Sequence, residues 1–223
     1  MDIIVKNLCK TYDHNQVLNH FSCTFREKKM TCIMGKSGIG KSTLLSILMG
    51  LEKADEGTVS GMEHQKISAI FQENRLFENL DAVTNIHITT GKTKEEIAGF
   101  LKEMELDDVA GKPVSEYSGG MKRRVAIARA LLAEYDILIM DEPFDGLDPH
   151  IRKVIWDILI QDVSERNMTI FISSHHLNEL DSMCDHIALI NNGKIVFEEA
   201  LDHLKEGYHK LQIVLECGDD MYA

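Results

Sequence analysis

Short apolar runs of strand length alternate along the chain with stretches whose apolar residues recur every three or four positions, a rhythm that predicts an α/β fold. Asp2–Leu8 and Gln16–Phe25 read as strands joined by a turn at Asp13-His14-Asn15, and Met30–Met34 as a short buried strand. Ser42–Met49 has helical spacing and stops at Gly50. Gly57–Gly61 and Lys66–Gln72 read as further strands. From Glu73 to about Lys112 the texture becomes wholly helical: Asp81–Ile88, then a helix from Thr93 to about Glu105 whose Thr93 and Glu96 form a capping box, closed by Gly111-Lys112-Pro113. Ser118 caps the next helix, with Val125, Ile127, Ala128, Leu131 and Leu132 on its apolar face. Asp136–Pro143 is a buried strand ending in two carboxylates, and Pro149 opens a helix carrying Ile151, Val154, Ile155 and Ile158. Met168–Ile172 is another buried strand, followed by a hairpin of Asp185–Ile190 and Gly193–Phe197 turning at Asn191-Asn192-Gly193. A short helix and a strand at Leu211–Leu215 complete the chain.

The stretch with most chemistry is Gly35-Lys36-Ser37-Gly38-Ile39-Gly40-Lys41-Ser42-Thr43, which fits G-x-x-x-x-G-K-[ST] between a predicted strand and a predicted helix. The glycines let successive backbone N–H groups turn toward an anion, and the helix that follows adds its positive end. Lys41 would reach the outer phosphates and the Ser42 hydroxyl would ligate Mg²⁺. A Gly-rich turn alone would not need GKST in this context, so the chain is read as binding a nucleoside triphosphate.

Polar groups leave the ends of other predicted strands, where open α/β sheets hold ligands. Gln72 could cap a turn or reach a metal ion or an attacking water. Beside a phosphate loop, Asp141 is read as holding the Mg²⁺ water shell and Glu142 as orienting or deprotonating the attacking water. Of Ser173-Ser174-His175-His176, one histidine could point at the γ-phosphate. Ser118-Gly119-Gly120 offers a second anion site at a helix start, since two adjacent glycines weaken a helix and imply a need for bare backbone. Tyr12 could pack on the core or stack under a base.

The net charge of −12, from 24 basic and 36 acidic residues, argues against nucleic acid as the main partner. The five cysteines are scattered without a CxxC pair, as reduced thiols would be, and Cys32 reads as a small buried residue. No apolar run approaches the roughly 20 residues of a membrane helix, and the N-terminus lacks a signal-peptide layout. A cytoplasmic enzyme is expected, with any membrane connection made through a partner.

These residues together resemble the nucleotide-binding subunit of an ATP-binding cassette (ABC) transporter over essentially the whole chain. The phosphate loop, Gln72 in the glutamine loop, Ser118-Gly119-Gly120 in the signature, Asp141-Glu142 in Walker B, Gly146-Leu147-Asp148 in the D-loop and His175 as switch histidine appear in that family's order. The resemblance selects His175 over His176 and implies that Tyr12 stacks on adenine. It implies an α/β P-loop NTPase core with a mixed or parallel sheet, an N-terminal antiparallel β-subdomain and an inserted helical subdomain. The expected division is one domain, 1–223, with the core in 1–72 and 133–223 and the helical part in 73–132.

ATP and Mg²⁺ are the implied cofactors, with Lys41, Gln72, Glu142 and His175 catalytic and Ser42, Gln72 and Asp141 at the metal. Each ATP would lie between the phosphate loop of one subunit and the Ser118–Gly120 signature and Asp148 of a second, in a homodimer or a heterodimer. The helical part and the Gln72 region would grip transmembrane permease subunits from the inner face of the cell membrane. The signature departs from Leu-Ser-Gly-Gly-Gln at Tyr117 and Met121, and Asp145-Gly146 replaces the commoner Ser-Ala of the D-loop. A non-transport cassette ATPase and an ATP-dependent binding module are the alternatives. Intact Glu142 and His175 count against the second.

Overall fold

The computed structural model describes residues 1–175, 184–201 and 203. His176 and the helix and strand expected around Leu211–Leu215 lie outside the described residues. Nine strands and five α-helices follow one another as β1 (Ile3–Tyr12), β2 (Asn15–Phe25), β3 (Met30–Met34), α1 (Lys41–Leu48), β4 (Glu56–Ser60), β5 (Ile67–Ile70), α2 (Ala82–Thr90), α3 (Lys94–Glu103), α4 (Gly119–Leu132), β6 (Ile137–Asp141), α5 (Pro149–Arg166), β7 (Thr169–Ser174), β8 (His186–Asn191) and β9 (Lys194–Ala200), counted among the described residues. Between β5 and β6 every α-helix belongs to α2–α4, although residues 73–81 precede α2 as a non-helical loop.

Two sheets form. One is antiparallel, in the order β2-β1-β4; the other is mixed, in the order β5-β6-β7-β3-β8-β9, with only β9 antiparallel to its neighbour. The central strands are apolar on both faces, as a sheet covered on both sides must be. On β6, Leu138 and Met140 enter the core shared with α2–α5, while Ile137 and Ile139 enter the core shared with α1 and the antiparallel sheet. Strand β7 divides in the same way, with Phe171 facing the second core, where its ring meets Phe25 edge to face at 5.0 Å.

Local chemistry explains the element ends. Asp81, Thr93, Ser118 and Asp148 cap α2, α3, α4 and α5, each accepting a hydrogen bond from a backbone N–H three residues on, and the Thr93–Glu96 capping box is closed in both directions. The last hairpin turns on Asn192-Gly193, both with positive φ (48° and 69°), as a tight two-residue turn between twisted strands demands.

The structure corrects two expected boundaries. Strand β1 runs on to Tyr12 instead of ending at Leu8, because bulges beyond Val5 leave Leu8, Cys9 and Lys10 buried in succession and erase the alternation. The strand expected to run through Pro143 ends at Asp141, because Glu142 has φ +46° and turns out of the sheet.

Candidate active site

Parallel pairing brings the strand ends together. Ile70 pairs with Met140, Asp141 with Ser173, and Met34 with Ser174, so the segments that follow β3, β5, β6 and β7 leave one edge of the sheet side by side. A cavity of about 300 Å³ lies at this edge, lined by Ser37, Gly38, Gly40, Lys41, Ser42 and Thr43 of the phosphate loop with Val17, Gln72 and Glu142. The loop needs its glycines: Gly38 has φ +75° and Gly40 φ +107°, and a Cβ on Gly40 would lie 2.7 Å from the Val17 carbonyl oxygen. Gly40 then serves as N-cap of α1, which starts at Lys41.

Lys41 is 4% exposed, and its ammonium donates to the Gly35 carbonyl at 2.7 Å and the Lys36 carbonyl at 3.0 Å. It also pairs with Glu142 Oε1 at 3.1 Å, while the other carboxylate oxygen lies 2.9 Å from His175 Nδ1. Lysine, glutamate and histidine thus form one chain of contacts across the sheet edge. The turn that sets Glu142 there is pinned by Ser173, whose hydroxyl accepts the Glu142 N–H at 2.9 Å and donates to Asp141 Oδ1 at 2.5 Å. Asp145 also belongs to this cluster: one ligand atom from each of Glu142, Asp145 and His175 lies within 4.8 Å of the others.

The available oxygens suit a hard divalent cation, because the Ser42 hydroxyl, the Gln72 amide and the Asp141 carboxylate are all oxygen donors. Ser42 and Gln72 line the cavity, and Asp141 ends the adjoining strand. Ile39 packs against the second core, so its place in the loop is apolar support.

Gly35, Lys36, Ile39, Asp141 and His175 adjoin the site without lining that cavity, and three further expected elements also lie outside the lining. Tyr12 stands at the end of β1, 41% exposed, with the Lys10 ammonium 5.1 Å from its ring centre. Ser118-Gly119-Gly120 opens α4, and a Cβ on Gly120 would approach the Gly146 carbonyl oxygen to 3.3 Å, a reason for bare backbone at that position. Asp148 caps α5 through the Ile151 N–H at 3.0 Å, and that bond holds its carboxyl below the usual carboxylate range. Tyr117, in place of the common leucine, is buried and donates its hydroxyl to the Val109 carbonyl at 2.5 Å.

A residue that braces the site, Arg123, escaped sequence reasoning, as did Ser173. Arg123 is 5% exposed and fans its guanidinium over backbone carbonyls of two strand ends: Phe71 at 2.5 Å, Pro143 at 2.9 Å, Glu142 at 2.8 Å and Asp141 at 3.1 Å. Burial pulls its pKa down, while the carboxylates of Asp145, Asp141 and Glu142 pull it back up. Arg129, on the same helix, donates to the carbonyls of Asn74 and Arg75. Helix α4 therefore holds the Gln72 segment and the Glu142 turn in one register. The signal was present, since Arg123 stands four residues before the buried Ile127 and so on the buried face of α4.

Comparison with known proteins agrees with this geometry. The profile of the ABC transporter family matches residues 18–145. The lantibiotic transport ATP-binding protein SrtF of Streptococcus pyogenes is 34% identical over 208 residues, covering 89% of this chain and 90% of that protein. The bacitracin transport ATP-binding protein BcrA of Bacillus licheniformis is 32% identical over 231 residues, covering 94% and 74%. Among solved structures, the dimeric ATP-binding cassette MJ0796 in a post-hydrolysis state with ADP and Pi superposes with a TM-score of 0.80 at 28% identity, covering 89% of this chain and 98% of that one. With that profile lying on the phosphate loop, the Gln72 segment, α4 and the Glu142 turn, this chain belongs to the ABC transporter family, as one of its ATP-hydrolysing cassettes.

Proposed function

We propose that this chain works as one half of a pair of cassettes that close on ATP and Mg²⁺, and that closing and reopening drive separate membrane subunits. The observation that carries the reading is the Lys41–Glu142–His175 chain of contacts at the mouth of the phosphate-loop cavity. The site holds a cation for phosphate oxygens, a carboxylate for a water and an imidazole beside that carboxylate. Phosphoryl transfer asks for such positioning and charge stabilisation more than for covalent help from the protein.

Lys41 and the N–H groups of Gly35–Thr43 bind the phosphates, and an incoming γ-phosphate takes over the Lys41 ammonium that Glu142 now shares. Glu142 then holds the attacking water and accepts its proton, and His175 contacts the terminal phosphate. Ser42, Gln72 and Asp141 would hold Mg²⁺, which would supply positive charge against the charge that develops on the phosphate oxygens. Tyr12 stacks on the adenine from its exposed position at the end of β1. Ser118-Gly119-Gly120 and Asp148 lie outside the cavity of their own chain and serve the site of the paired cassette.

Residues 73–132 form the helical lobe, and this lobe and the Gln72 segment meet transmembrane permease subunits. Phe77 and Ile88, 52% and 56% exposed, give it apolar contact surface there. No helix among the described residues is long and apolar enough to cross a membrane, which accords with a peripheral position on the inner face of the cell membrane. The named relatives act in lantibiotic and bacitracin transport, and this chain is proposed to power a transporter likewise. Chelating divalent ions is expected to stop phosphate release by the purified chain, and Mg²⁺ to restore it. Turnover that persists in excess chelator would contradict the assignment of Ser42, Gln72 and Asp141 to a metal.

A further inference from the structure

A second cluster of metal-ligating side chains lies on the antiparallel sheet, away from the ATP site. Cys9 of β1, His20 of β2 and Glu56 of β4 place one ligand atom each within 4.8 Å of the others. Three neighbouring strands thus contribute one donor apiece. Cys9 pairs with Glu56 across β1 and β4. On the other side the register passes from Leu8–Phe21 to Lys10–Leu18, so Cys9 faces a bulge that holds Asn19 and His20. His20 sits there with φ +47°, a conformation uncommon outside glycine and asparagine. The bulge turns His20 onto Cys9, so that Nδ1 lies 3.6 Å from Sγ and the His20 N–H donates to the same sulfur at 3.4 Å.

From these donors we infer that Cys9, His20 and Glu56 form a binding site for a borderline-soft divalent ion, Zn²⁺ in the first instance. The spacing fits. A Zn–S bond of about 2.3 Å and a Zn–N bond of about 2.05 Å at a tetrahedral angle put sulfur and nitrogen about 3.6 Å apart. That is the Cys9–His20 separation, which a thiol–imidazole hydrogen bond holds here and which an ion bridges without moving either strand. Binding releases the Cys9 thiol proton to solvent and leaves sulfur as the anionic ligand. The His20 N–H already pointing at sulfur is the kind of outer hydrogen bond that stabilises a ligating thiolate. Cys9 is buried while His20 and Glu56 are exposed, so the ion enters from the solvent side and water completes its fourth position. Lys10, the neighbouring cation on β1, is engaged with Glu52 at 2.7 Å and Asp55 at 3.4 Å and leaves Glu56 to the ion. The ion fastens β1, β2 and β4 together three residues before Tyr12.

Titrating the metal-stripped chain with Co²⁺, then displacing it with Zn²⁺ against a chromophoric chelator, tests the site. One equivalent of Co²⁺ is expected to give a thiolate-to-cobalt charge-transfer band with the strong visible absorption of tetrahedral cobalt. Cys9→Ser removes the charge-transfer band. His20→Asn, which keeps the positive φ at little cost, lowers Zn²⁺ affinity by more than about 100-fold, the upper end of what losing an outer-shell partner costs. Should Cys9→Ser fail to fold, the thermal midpoint decides: Zn²⁺ raises it in His175→Ala, which breaks the Glu142–Asp145–His175 cluster, and leaves it unchanged when His20→Asn is added. A chain with no thiolate band, a band that survives Cys9→Ser, or a Zn²⁺ shift that survives His20→Asn in the His175→Ala background would overturn the site.

Discussion

Glu142→Gln is expected to lower steady-state phosphate release by about 10²- to 10⁴-fold, the span a positioned general base contributes. Glutamine has nearly the shape of glutamate, so the φ +46° turn, the Ser173 bond to the residue-142 N–H and the reach toward His175 should persist. What disappears is a group that can accept a proton from water. Nucleotide binding should survive, because the Lys41 ammonium loses a competitor for the phosphates and the site loses a negative charge beside them. Phosphate release and a fluorescent-nucleotide titration on the same preparation separate the two effects. Loss of binding in parallel with turnover would show that Glu142 chiefly holds Lys41 in place.

The second large effect concerns stability. Replacing Arg123 with methionine fills much of the same volume but leaves the carbonyls of Phe71, Asp141, Glu142 and Pro143 without their donor. An unsatisfied buried polar group costs about 1–3 kcal/mol. Some of these carbonyls will find water, so a net loss of about 3 kcal/mol is expected, read as a lower urea midpoint at unchanged slope. Lysine recovers only part of it, because a single ammonium carries fewer donors and none of the planar fork. Turnover per folded molecule should also fall in Arg123→Lys, since Gln72 and Glu142 lose their shared anchor. Stability within about 0.5 kcal/mol of wild type in Arg123→Met would show that the fan of hydrogen bonds contributes little.

Much of this was legible in the chain because the residues concerned act through local pattern. Gly38 and Gly40 mark the phosphate loop by the backbone angles they permit, Thr93 and Glu96 declare their capping box, and Asn192-Gly193 marks its turn. What stayed hidden depends on partners far away in sequence. Ser173 matters through its register opposite Asp141, and Arg123 through carbonyls 18 to 52 residues away. Strand β1 hid its second half, and with it the Cys9–His20 contact, because bulges spoil the alternation by which a strand is recognised. Tyr117 stands out in sequence as a departure from the signature's leucine, and its hydroxyl reaches the Val109 carbonyl.

In the proposed pairing, a second cassette, another copy of the chain in the simplest case, completes the ATP site. Light scattering on Glu142→Gln with saturating ATP tests it most directly, alone and combined with Ser118→Arg, with nucleotide binding followed in both. Ser118 lies outside the cavity of its own chain, so the arginine should leave ATP binding by a single copy intact. ATP is expected to double the mass of Glu142→Gln, and adding Ser118→Arg to return it to that of one chain. A Glu142→Gln chain that stays single with ATP bound, or a dimer indifferent to Ser118→Arg, would contradict this pairing.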